Sequence, residues 1–190
     1  MEYKGLPVYF IDLDEDSIFS NISFVDSPAI RRDFIQLSAQ EEFKFKVNDE
    51  KRTISGPVLI PGQPIYRKND EGKEFYIQFD EDVIKSLAIK FFKDHRETEG
   101  NVMHSVSVNG ITFYESYLIN KERGIAPKEF EDLPSGTWIC SARVDNDRVW
   151  ELIKDGTLRG FSVDIATPVR SKMREIDTIE ELEEYLNNYK

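Results

Sequence analysis

Cysteine occurs once in the 190 residues and histidine twice. A single thiol, Cys140, closes no internal disulfide. Cys140, His95 and His104 stand too far apart in sequence to suggest the ligand spacing of a zinc site, so soft-metal chemistry is not expected. Basic residues are also in deficit, with 25 Lys and Arg against 36 Asp and Glu and a formal charge of -11. A field of that sign repels phosphate backbones and anionic headgroups, which argues against nucleic acid and membrane surfaces as partners. No apolar run reaches the roughly 18 residues of a membrane-spanning helix. The opening MEYKGLPVYF has no basic segment, apolar stretch and cleavage site in sequence. A soluble, unsecreted chain without metal or cofactor is expected.

Apolar residues are not lacking. At 39% hydrophobic and 12% aromatic, the chain can bury enough surface to offset its ordering entropy, and its length suits one domain. Residues 6–38, EEFKFKV at 41–47, KRTISGPVLIPG at 51–62 and KEFYIQF at 73–79 read as short strands between Asp, Asn, Ser, Gly and Pro punctuation. Gly56, Pro57 and Pro61 predict a bent edge strand. The period then changes: Val83, Ile84, Leu87, Ala88 and Phe91 form a helical stripe, with Asp80 as N-cap and Glu81 and Asp82 at its positive end. His95 falls just past that helix and reads as a solvated or C-terminal cation. TWICSARV at 137–144 predicts a strand with Trp138, Cys140 and Ala142 on one buried face. NDRVWELIKDG at 146–156 predicts a helix capped by Asn146, with Val149, Trp150 and Ile153 inward and Gly156 as its stop. LRGFSVDIATPV at 158–169 reads as a further strand. In the tail, Thr178 and Glu181 have capping-box spacing ahead of Ile179, Leu182 and Leu186, which predicts an acidic terminal helix. Many strands with two or three singly inserted helices define an α+β, β-dominated fold.

Two strands carry residues that chemistry could use. In NVMHSVSVNGITFYESYLIN, residues 101–120, Asn109-Gly110 is a strong signal for a two-residue hairpin turn. Such a turn would set Val106 opposite Phe113, and His104 opposite Glu115, on an apolar face. An imidazole and a carboxylate there would be costly unless paired, and a carboxylate that fixes a histidine tautomer is how a general base is oriented. The same pairing also reads as a buried structural pair. In KDGTLRGFSVDIA, residues 154–166, Gly160, Ser162 and Asp164 share the face opposite Phe161, Val163 and Ile165. A serine within an apolar strand differs from the solvated serines elsewhere. It is not the G-x-S-x-G elbow of α/β hydrolases, since residue 164 is Asp and no helix signal follows.

ISFVDSPAIRRDFIQL at 22–37, His104 in its strand, ESYL at 115–118 and LPSGTWICSARVDNDRVWELIKDGTLRGFSVD at 133–164 together resemble the tailed-phage prohead (capsid maturation) serine proteases, most closely the XkdF type. The resemblance implies an assemblin-like closed antiparallel β-barrel with peripheral helices. It also implies Ser162 as nucleophile and His104 as base. The relatives' second histidine has no counterpart after Ser162, so Glu115 is taken as the third member, with Asp164 as the alternative. On this reading residues 1–170 form the protease domain and 171–190 an acidic helical tail. The implied activity is a serine endopeptidase that cuts phage scaffold protein, major capsid protein and itself, as a homo-oligomer inside the procapsid in the host cytoplasm. The rival is a catalytically inactive β-barrel module that binds capsid or scaffold. Glycoside hydrolysis by paired carboxylates would rest on Glu115 alone.

Overall fold

The computed structural model describes residues 2–11, 18–25, 51–68, 72–102, 106–166 and 174–175. In chain order the strands are β1 (Glu2–Tyr3), β2 (Leu6–Phe10), β3 (Ile18–Val25), β4 (Thr53–Leu59), β5 (Ile65–Lys68), β6 (Glu74–Gln78), β7 (Gly100–Val102), β8 (Val106–Val108), β9 (Ile111–Leu118), β10 (Trp138–Val144), β11 (Gly160–Ala166) and β12 (Arg174–Glu175). Helix α1 (Glu81–Lys93) lies between β6 and β7, and α2 (Asp147–Lys154) between β10 and β11.

Both helices form where their caps and stripes predict. The Asp80 carboxylate accepts from the Val83 backbone N–H at 2.8 Å, and the Asn146 side-chain oxygen accepts from Val149 N–H at 3.1 Å. Each cap satisfies one of the orphan donors of a first helical turn. Val83, Ile84, Leu87 and Phe91 of α1 are buried, as are Val149, Trp150 and Ile153 of α2. His95 is exposed, with Nδ1 4.0 Å from the Glu97 carboxylate. The predicted strand at 41–47 and terminal helix at 178–190 lie outside the described residues.

The chain is β-dominated α+β, but the described strands hydrogen-bond as three sheets. One has the order β1-β2-β6-β5 with β12 also on β2, the second β4-β10-β9, and the third β11-β3-β7-β8. Most pairs are antiparallel, while β2–β6 and β3–β7 are parallel. The closed barrel expected from the resemblance is not formed among the described residues. β11 and β4 pass within 8 Å, yet no ladder joins them. Pro57 lies in β4 and donates no backbone hydrogen bond, in keeping with the edge position of β4 in its sheet.

Aromatic packing unites the second and third sheets. Phe91 of α1 meets Phe113 of β9 at 5.4 Å and Trp138 of β10 at 5.7 Å between ring centroids. Phe161 of β11 meets Phe24 of β3 at 5.4 Å and Phe113 at 5.7 Å. All but the tilted Phe113–Phe161 pair are edge-on, and aromatic pairs of that geometry contribute about 0.5–1.5 kcal/mol each beyond their area. A second cluster, Ile60, Ile119, Phe130, Leu133 and Ile139, sits on the other face of β10 beneath the 120–136 connection.

That connection depends on Gly136, whose φ is +82° and whose missing Cβ would overlap the Glu81 side chain at the start of α1. Left-handed backbone costs a non-glycine residue about 1–2 kcal/mol. Gly136→Ala should therefore lower the melting temperature by about 2–8 °C, measured by circular dichroism. An unchanged melting temperature would show that neither the backbone strain nor the contact with Glu81 matters.

Cys140 faces the main core as predicted and is fully buried. Burial pushes its thiol up to about 12, so the reactive thiolate is scarce at neutral pH. Native protein should resist iodoacetamide, and urea should expose one labelling site per chain by mass spectrometry. Rapid labelling without denaturant would show that this part of the core opens readily.

Candidate active site

Ser162 is held in β11 by alternation. Its neighbours Phe161 and Val163 are in the core, opposite Phe24 and Ile22 of β3, and Ser162 takes the other face. On that face it is in register with Ser23 of β3. Ser23 is in register with Asn101 of β7, and Asn101 with Ser107 of β8. Residues aligned across neighbouring strands share a face, so four polar side chains form one row across the third sheet. Ser23 is 0% exposed, Ser162 3% and Asn101 9%. Polar groups buried to this extent are costly unless hydrogen-bonded, which makes the row unusual for a purely structural sheet face.

Two residues beyond Ser162, the register between β11 and β3 shifts: Asp164 pairs with Asn21 and Ile165 with Phe19, leaving residue 20 as an extra residue in β3. Bulges of this kind recur beside active sites because they change the local twist and the direction of side chains. Asp164–Asn21 is thus the second backbone pair beyond Ser162–Ser23, with Val163–Ile22 between them.

His104 lies outside the described residues. The strands flanking it are described: Val102 of β7 pairs with Val106 of β8, and both strands belong to the sheet that holds Ser162. β7 is two strands from β11, about 10 Å at ordinary strand spacing.

Among the described residues, the hairpin predicted between β8 and β9 is not formed. β8 pairs with β7, and β9 pairs with β10. Gly110 has a φ of +78°, but Asn109 is not among the positive-φ residues, so the turn is not the predicted type. Instead the Gly110 carbonyl accepts from Asp145 N–H at 2.7 Å and Asn146 N–H at 3.3 Å, while Asn146 Nδ2 donates to the Asn109 carbonyl at 3.1 Å. The dipeptide is committed to the start of α2. Gly100 lies against Ile111, and Phe113 N–H donates to the Glu97 carbonyl at 2.7 Å. Glu115 lies in the β4-β10-β9 sheet and Val102 in the β11-β3-β7-β8 sheet.

A second bulge moves Glu115 to the other face. Ser141 pairs with Glu115 and Ala142 with Phe113, which leaves Tyr114 as an extra residue in β9. Phe113 is in the core, whereas Glu115 is exposed and shares the outer face with Tyr117. Behind the bulge Ser116 turns inward, and its hydroxyl accepts from Trp138 Nε1 at 2.8 Å. The Glu115 carboxylate accepts from the fully buried Ser141 hydroxyl at 2.5 Å, and Ser55 Oγ lies 2.7 Å from Ser141 Oγ. A serine hydroxyl has one hydrogen. Since Ser141 gives its hydrogen to the carboxylate, Ser55 is the donor to Ser141, and the chain points from β4 through β10 to β9. Burial, then the nearby Glu115 charge, pushes the Tyr117 phenol up to about 12.

The structure thus places Ser162 in the sheet that contains β7 and β8, the strands on either side of His104 in sequence, and it places Glu115 on another sheet. Ser23 and Asn101 were not singled out by the sequence reading. The signal for Ser23 was present, because Ile22-Ser23-Phe24 repeats the apolar-serine-apolar pattern of Phe161-Ser162-Val163.

A serine hydroxyl in a buried polar row is the kind of group that nucleophilic hydrolysis uses, and comparison with known families agrees with that class. The chain belongs to the family described as "Putative phage serine protease XkdF", whose model matches residues 41–169. That segment contains His104, Glu115, Ser162 and Asp164. No curated protein and no solved structure matches the chain.

Proposed function

We propose that this chain is a phage maturation endopeptidase in which Ser162 attacks a peptide carbonyl while His104 takes its proton, forming an acyl-enzyme that water then hydrolyses. The observation that carries the reading is Ser162 itself: a hydroxyl 3% exposed, in register with buried Ser23, within the segment that matches a serine-protease family. Substrates are the phage scaffold protein, the major capsid protein and the chain itself, cut inside the procapsid in the host cytoplasm by a homo-oligomer. The assemblin-like barrel belongs to the same reading, as the arrangement in which the neighbouring edges β4 and β11 would join.

For the third member of the triad we take Asp164 over Glu115. Asp164 is two residues from Ser162 on one strand, whereas Glu115 is held by Ser141 on another sheet.

The low exposure of Ser162 also favours a second reading, a binding module for capsid or scaffold whose serine is structural. A fluorophosphonate probe separates the two. Labelling of the wild type and not of Ser162→Ala is expected. A wild type that stays unlabelled, alone and in the presence of scaffold protein, would leave the binding module.

A further inference from the structure

The β1-β2-β6-β5 sheet turns one face to the main core, through Ile65 and Ile77 with Ile11 and Phe79 just beyond its strands. On the other face, register aligns Tyr3 with Leu6, Val8 with Tyr76 and Tyr76 with Tyr66. The Tyr76 ring meets Tyr3 at 5.0 Å and Tyr66 at 5.9 Å between centroids, while Tyr3 and Tyr66 are 37% and 44% exposed. Single exposed apolar residues are ordinary, whereas a joined patch marks a docking surface. Val8, on the same face, is already 1% exposed although it belongs to neither core cluster.

The chain returns to this sheet near its C-terminal end. β12 is antiparallel to β2, with Arg174 opposite Phe10 and Glu175 opposite Tyr9. β6 takes one edge of β2 over Val8–Phe10, so β12 shares the other edge with β1. The next positions along that edge are Val8 and Pro7, and Pro7 is already opposite Glu2 of β1. β12 therefore cannot be extended beyond Val8, and residues 176–190 must leave the edge. The core closes one face of the sheet, which leaves the tyrosine face.

We infer that residues 176–190 dock on the tyrosine face of their own chain, over Tyr3, Val8 and Tyr76. The sequence supplies a matching stripe, because Ile179, Leu182 and Leu186 fall on one side of the helix predicted there. A helix over residues 179–190 would run about 18 Å, enough to cross the roughly 10 Å from β2 to β5. Charge selects the end on which it lies. Lys4, in the β1–β2 turn with Nζ 5.5 Å from the centre of the Tyr3 ring, offers a cation to Glu180, Glu181, Glu183 and Glu184. At the β5 side Glu74, which accepts from the Tyr66 hydroxyl, would repel them. The tail therefore lies toward β1 and β2. This inference does not depend on the chemistry of Ser162.

Hydroxyl-radical labelling of the full chain, read by mass spectrometry, compares the wild type with the double substitution Leu182→Asp, Leu186→Asp. Each aspartate should weaken docking by about tenfold or more, so Tyr3 and Tyr76 should label severalfold faster in the variant. Tyr114, 58% exposed on β9 of another sheet, should label equally in both and serves as the reference. In a second measurement, carbodiimide coupling of wild-type protein mixed from light- and heavy-isotope chains should join Lys4 to a tail carboxylate within one chain. Equal labelling of Tyr3 and Tyr76 in the two proteins would overturn the docking, as would the absence of any coupling from Lys4 to the tail. Couplings that join light chains to heavy ones would overturn it in favour of a second copy's tail on this face. The coupling uses the wild type alone, so it decides the matter even if the variant folds poorly.

Discussion

Ser162→Ala should leave the scaffold and capsid proteins uncut when the variant is expressed with them, while the wild type generates new N-termini. Loss of a serine nucleophile or its partners costs on the order of 10⁴–10⁶ in turnover, so the difference should be all or none on a gel. The variant removes one oxygen and leaves the Phe161 and Val163 contacts in place. Its stability should move by no more than about 1–3 kcal/mol, the range for a buried hydrogen-bonding group that loses its partner. Matching circular dichroism spectra would therefore assign the loss to chemistry and not to the fold. Continued processing by the alanine variant would remove Ser162 from the mechanism and with it the proposed function.

The features that were legible in the sequence are those set by neighbours in the chain. Asp80 with the Val83–Phe91 stripe, and Asn146 with Val149, Trp150 and Ile153, specify helices locally, and both formed. Trp138, Cys140 and Ala142 share a buried face because β10 alternates without interruption there. Pro57 marked an edge strand because proline lacks a backbone donor.

Long-range pairing was not legible, for reasons that can be named. Asn109-Gly110 looks the same whether it closes a hairpin or docks against a helix start, and only the contacts from Asp145 and Asn146 decide between them. One extra residue at Tyr114 reverses which side chains face the core, since strand alternation has a period of two. Both features bear on Glu115, which lies on the outer face of the β4-β10-β9 sheet. The parallel pairing of β3 with β7 joins segments more than 70 residues apart, and no turn signal announces such a pair. That pairing, together with the β11–β3 ladder, aligns Ser162, Ser23 and Asn101, so the row was not visible in the sequence.

The proposed triad predicts which carboxylate matters. Asp164→Asn should lower turnover by about 10²–10⁴, because an amide cannot stabilise the imidazolium that forms as the base takes its proton. Glu115→Gln should leave turnover nearly unchanged, since the amide oxygen still accepts from Ser141 on a sheet removed from Ser162. Its cost should appear in stability: a charge-assisted hydrogen bond becomes a neutral one, a loss of about 1 kcal/mol. That loss should lower the melting temperature by about 2–4 °C. Parallel assays of initial cleavage rate and thermal melting on the two variants separate the roles. If Glu115→Gln abolishes cleavage while Asp164→Asn retains it, the acid acts from the β4-β10-β9 sheet. The Ser55–Ser141–Glu115 chain would then be the link that carries its influence toward β11, because β4 is the strand of that sheet that passes closest to it.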